Sequence, residues 1–91
     1  MTSKPKLSIY NVIKKSFIVW GIKINEKVPV YYEWQLAKRN KTINTPSIIV
    51  DYKKNIKEWH ISFIDINNNI HSCTIDDVTG TASISSFNFV N

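Results

Sequence analysis

The sequence predicts an α+β domain: one N-terminal helix packed on an antiparallel sheet of about five to six strands, joined mostly by hairpins in meander order. Three observations carry this. Apolar residues recur at helical spacing only near the N-terminus. From residue 18 onward they alternate with period two, and turn-forming clusters interrupt the alternation at regular intervals. A chain of 91 residues with 43% hydrophobic and 12% aromatic content can fill one core and is too short for a second. It reads as a single domain over residues 1–91, with the polar residues 1–5 a frayed end.

Each element has a local cause. Ser3 followed by Pro5 suits a helix start, a hydroxyl cap and then a proline whose missing N–H costs little. From Pro5 to about Ser16, Leu7, Tyr10, Ile13 and Phe17 fall on one face, with Ser8, Asn11 and Lys15 on the other. Ile18, Trp20, Ile22 and Ile24 then alternate with Val19, Gly21, Lys23 and Asn25, which predicts a strand. Val28 to Trp34 is β-branched and aromatic, and Pro29 places it at a strand start or sheet edge. Gln35 to Arg39 extends that strand or forms a helical turn, and Asn40 to Pro46 is a polar loop. Ser47 to Tyr52 is a strand with Ile48, Val50 and Tyr52 on one face, and Lys53 to Lys57 is the connection to the next. Glu58 to Ile66 is the clearest strand. Asn67 to Asn69 form a turn, because Asn tolerates positive φ. Ile70 to Asp76 returns, Asp77 to Gly80 turns again, and Ala82 to Val90 closes the chain as a strand.

Burial selects a register for the central hairpin. Pairing Ile66 with Ile70 gathers Trp59, Ile61, Phe63, Cys73 and Ile75 on one face and leaves Ser62, Ser72 and Thr74 on the other. A slip of one residue would set Phe63 against Thr74. The chosen register puts Ile64, Ile66 and Ile70 on the outer face near the turn. There they either meet the N-terminal helix or form an exposed apolar patch able to bind a partner.

The run Trp59-His60-Ile61-Ser62-Phe63-Ile64-Asp65-Ile66, a turn, and then Cys73-Thr74-Ile75-Asp76-Asp77-Val78-Thr79-Gly80 resembles the hairpin of PepSY-type domains. Those domains read as an aromatic residue, an alternating strand, a turn, a second strand and Asp-x-x-Thr-Gly. The resemblance covers about residues 47–84. It implies a helix-plus-hairpin fold and a role in binding or inhibiting partners such as proteases, and it brings no catalytic residues. PepSY proteins are usually exported or membrane-tethered, whereas this sequence shows no export signal.

Charge is segregated along the chain. All twelve Lys and Arg lie between Lys4 and Lys57, opposed there only by Glu26, Glu33 and Asp51, a net +9; Glu58, Asp65, Asp76 and Asp77 give the remainder −4. Such a partition points to a polar partner or to a match between the two halves, set against the plainer reading of a solvated lysine coat. Cys73 is the single cysteine, so no intrachain disulfide forms, as suits a reducing compartment. The apolar stretch Leu7 to Ile24 is cut by Lys14 and Lys15, and no run of about 20 apolar residues exists. A cytoplasmic location with no membrane partner is expected.

Candidate chemistry is sparse. His71 and Cys73 stand two apart, about 6.6 Å on one strand face, with Asp65 across from His71. A Cys–His pair could make a thiolate nucleophile, but no third orienting group is fixed by spacing, and a buried Cys73 acting as a small apolar side chain accounts for it better. His60, facing Asp76 on the outer face, cannot converge on a metal with His71 and Cys73 on the inner one. Asp76 and Asp77 diverge on a strand and suit a turn that accepts backbone N–H groups. With Gly21 and Gly80 the only glycines, no phosphate-cradling loop exists. No enzyme, cofactor or metal is expected.

What remains is binding. A small non-enzymatic module of inhibitor, immunity or antitoxin type, covering a protein partner such as a toxin or enzyme, fits the compact chain, the segregated charge and the supply of aromatics. The contact residues expected are Tyr31, Trp34, Lys38, Arg39, Lys53 and Lys54. The alternative is a nucleic-acid-binding domain that uses the same basic loops with interleaved Tyr31, Tyr32 and Trp34 as stacking groups. The single Arg weighs against it, because Arg is the preferred reader of base edges and phosphates.

Overall fold

A computed structural model describes residues 5–23, 27–33 and 46–84. One helix, α1 (Ile9–Trp20), packs on a sheet of five strands: β1 (Val30–Tyr32), β2 (Ser47–Lys53), β3 (Glu58–Ile64), β4 (Ile70–Asp76) and β5 (Ala82–Ile84). The strands lie in chain order across the sheet. Three neighbouring pairs are antiparallel and β1–β2 is parallel. The expected α+β arrangement is therefore present, corrected at one point: the sheet is mixed. Strand direction is not encoded in the alternation of side chains, and parallel partners cannot be joined by a tight turn.

The helix starts later and ends later than its spacing suggests. Ser8, not Ser3, is the cap: its backbone is extended and its Oγ accepts from the Asn11 N–H at 3.2 Å. Residues 18–20, expected in a strand, complete the last turn. Gly21 then stops the helix in the left-handed conformation, φ +73°, where its N–H donates to Ile18 O and the Ile22 N–H donates to Phe17 O. The extra turn brings Phe17 and Trp20 onto the sheet beside Phe63, with ring centroids 4.9 Å and 6.3 Å away. The buried face is Val12, Ile13, Ser16 and Phe17; Tyr10 is 65% exposed instead.

The predicted faces of the central hairpin hold. Trp59, Ile61, Phe63, Cys73 and Ile75 join Ile48, Val50 and the buried helix face in one core, and Ser62, Ser72 and Thr74 point the other way. The pairing itself is offset by two: Ile64 faces Ile70, and Ile61 faces Cys73. His60 accordingly faces Thr74, and it is Glu58 that faces Asp76. The cause is Asp65. Its carboxylate accepts from the Asn67 and Asn69 N–H groups at 2.9 Å each, and its own N–H donates to Asn69 O. This closes the turn one residue early on both sides, with Asn68 at φ +66°. A shift of two preserves side-chain parity. Ile66 (74% exposed) and Ile70 (55%) do not meet the helix, which lies on the opposite face.

β1 is shorter than the Val28–Trp34 stretch expected, and Pro29 precedes it, its carbonyl accepting from the Ile48 N–H. β3 stops at Ile64 rather than Ile66, again because the turn begins at Asp65. β5 is described over Ala82–Ile84. Trp34 to Thr45 and the chain beyond Ile84 lie outside the described residues, and with them the expected loop and the far end of the last strand.

One buried carboxylate ties the N-terminus to the sheet. Asp77, 4% exposed, accepts from the Lys6 N–H at 2.7 Å, the Leu7 N–H at 3.0 Å, Trp59 Nε1 at 3.0 Å and the Tyr52 hydroxyl at 3.4 Å. Burial alone would raise its pKa, but these four donors outweigh it and hold the carboxyl below the ordinary value. The same burial and the Asp77 charge push the Tyr52 phenol up, so it stays a donor.

Two outcomes follow. Asp77→Ala strands three N–H donors and is expected to cost roughly 3 kcal/mol, with Asp77→Asn milder, in urea unfolding. Because the folded pKa of Asp77 is depressed, its contribution is complete above the unfolded value near ~3.9 and is lost as pH falls through the folded value. Acid unfolding below about pH 4 should therefore be less steep in Asp77→Asn than in the wild type.

Candidate functional site

The end of the sheet where β2 turns into β3 collects exposed cations. β2 ends at Lys53, and the turn beyond it presents Lys54, Asn55, Ile56 and Lys57 to solvent. Lys57 adopts φ +50°, and its carbonyl accepts from the Asp77 N–H at 2.9 Å. Through Asp77 the same end receives Lys6, which is exposed just before α1. The β4–β5 turn adds Val78, its backbone held by Asp76 Oδ1. The same end thus carries Lys6, Lys54 and Lys57 together with two exposed apolar tips, Ile56 at 61% and Val78 at 54%.

The ammonium groups of Lys6, Lys54 and Lys57 form no ion pair among the described residues. The downstream anions have duties inside the fold. Asp77 is buried, Asp65 and Asp76 accept turn N–H groups, and Glu58 Oε1 lies 2.8 Å from His60 Nε2. Part of the upstream charge thus gathers at a lysine-bearing end, next to Glu58 and Asp76, while Lys14 and Lys23 are exposed elsewhere.

Of the contact residues expected from sequence, three are described. Lys54 is exposed in the turn. Lys53 is exposed but paired, its Nζ 2.9 Å from Asp51 Oδ2; Asp51, and after it Glu33, raises the Lys53 pKa. Tyr31 is half-buried on β1 opposite Ile49. Ile49 and Lys53 share a face but stand about 13 Å apart along β2, so these residues do not converge. Trp34, Lys38 and Arg39 lie outside the described residues. Lys6 was missed, because only the fold brings its position to this end. Ile56 was passed over because one isoleucine in a polar loop has no period to mark it.

The Cys73–His71 pair is occupied otherwise. Cys73 is 1% exposed. Burial pushes its thiol up against weaker opposing hydrogen bonds from Ser16 and the Ser83 backbone, the reverse of what a thiolate nucleophile requires. His71 holds Asp65 at 3.1 Å and lies against the Phe63 and Trp20 rings. Among the described residues no three His, Cys, Asp or Glu gather around a metal position. No helix among them is long and apolar enough to cross a membrane.

In comparisons with protein-family models, with curated proteins and with solved structures, nothing matches this chain.

Folded protein should react with an aromatic disulfide reagent at least a hundredfold more slowly than protein unfolded in urea, since Cys73 must be uncovered first. Equal rates would mean that α1 does not cover this strand.

Proposed function

We propose that the chain is a small non-enzymatic protein-binding module, of inhibitor, immunity or antitoxin type, that docks its lysine-bearing end on an acidic protein surface. The supporting observation is the composition of that end: exposed Ile56 and Val78 together with Lys6, Lys54 and Lys57, which form no ion pair among the described residues. An apolar centre with a charged rim is the anatomy of a protein interface. The rim speeds encounter and selects partners, and the centre supplies desolvation. A PepSY-like hairpin and a cytoplasmic location, where a free thiol persists, are parts of the same proposal.

Nucleic-acid binding by the same lysines is the second reading. Tyr10, exposed in the first turn of α1, favours it as a stacking group. It is weakened because the aromatics nearest the lysine turn are already used: Tyr52 and Trp59 pack together at 4.8 Å and both donate to Asp77.

The test is affinity capture from host lysate, with and without nuclease, using wild type and a Lys54→Glu/Lys57→Glu bait. One stoichiometric protein should survive nuclease and fall about tenfold with the reversed bait, a change of ~1.4 kcal/mol. Lys23→Glu should leave recovery unchanged. Recovery of nucleic acid alone, with affinity collapsing steeply as salt rises, would replace this reading with the second.

A further inference from the structure

The face of the sheet turned away from α1 carries a groove of about 260 Å3 lined, among the described residues, by the polar Glu33, His60, Ser62, Ser72 and Thr74 and by Ile61 and Cys73 of the same strands. Its floor is hydroxyl-bearing, because the outward positions of β3 and β4 are short and polar: Ser62 faces Ser72 and His60 faces Thr74. These hydroxyls are half-buried and hold no protein partner among the described residues. They are free to accept from a ligand.

Among the described residues, carboxylates outnumber cations around the groove, although the protein as a whole is positive. Glu33 stands exposed at its wall. Asp51 is the β2 neighbour of His60, and Glu58 holds the His60 ring at 2.8 Å. No lysine lines it. The nearest described ion-paired cation is Lys53, whose ammonium lies on Asp51 at 2.9 Å and also feels Glu33. The carboxylates of this part of the sheet thus already attract one cation of the protein itself.

We infer that this groove is a second binding site, for the guanidinium head of an arginine side chain. A planar cation with five donors matches a site that offers one free carboxylate and several hydroxyl acceptors spread over a flat floor. A lysine ammonium presents a smaller, more strongly hydrated point charge and would use fewer of them. The site lies on the outer face of the sheet, adjoining the lysine-bearing end, and is assigned independently of what binds that end.

The probe is N-acetyl-L-arginine amide, titrated into isotopically labelled protein and followed by amide shifts, with the neutral isostere N-acetyl-L-citrulline amide as comparator. Saturable shifts should concentrate at His60, Ser62, Ser72 and Thr74, with affinity on the order of millimolar for a single side chain. Citrulline amide should bind at least tenfold more weakly. Glu33→Gln, at an exposed position, should keep the folded spectrum and lose about tenfold in affinity for the arginine probe. Absence of saturable shifts at these amides would overturn the assignment. So would equal binding of the citrulline probe, or unchanged binding by Glu33→Gln.

Discussion

A carboxylate taken out of water must be satisfied by donors aimed at it, and in this chain Asp77 imposes that condition on three separate segments. The backbone before α1 gives two N–H groups, β3 gives the Trp59 indole and β2 gives the Tyr52 hydroxyl. Leaving any of these unmade would expose the full desolvation cost of the group concerned. The direction from which the chain enters α1 is thereby set. With the entry set, Ser8 caps the helix, Val12, Ile13, Ser16 and Phe17 meet the sheet, and Phe17 and Trp20 close over Phe63. The Asp77 N–H on Lys57 O extends the same anchoring to the lysine turn, so the candidate interaction surface is built on the best-satisfied part of the molecule.

The sheet separates two tasks by face. Its inner face is apolar and covered by one helix. Its outer face carries short polar side chains and a groove at its centre, where serine and threonine remain half-solvated, and Ile64 and Ile70 near the β3–β4 turn. Charge follows a similar division. Among the described residues, Lys6, Lys54 and Lys57 at one end of the sheet form no ion pair, whereas most carboxylates accept turn N–H groups or hold a histidine, a lysine or the Asp77 hub donors.

Much of the fold was legible in the sequence, and the misses have physical causes. The faces of β3 and β4 were readable because Trp59, Ile61 and Phe63 alternate with polar residues, and alternation reports parity directly. Their register was not, since a shift of two leaves every face unchanged and only the Asp65 side chain chooses between the two closures. Residues 18–20 satisfy both a strand period and the last turn of a helix; Gly21, suited to a left-handed stop, was the signal that decides. The Asp77 hub depends on amides 70 and 71 residues away, and no local pattern announces such a contact. At the candidate site, the pairing of Lys53 with Asp51 and of His60 with Glu58 was readable in principle: both are two-residue spacings on a strand, which place the partners side by side on one face. The groove was not, because it exists only once Ser62 and Ser72 are set opposite one another.

Amide hydrogen exchange at Lys6 and Leu7 tests the central claim most directly. If their N–H groups are buried against the Asp77 carboxylate, they exchange as slowly as amides in the middle of β3, although they precede any helix, and they lose that protection in Asp77→Ala while β3 keeps its own. Exchange of these two amides at the rate of an unstructured chain would contradict the account.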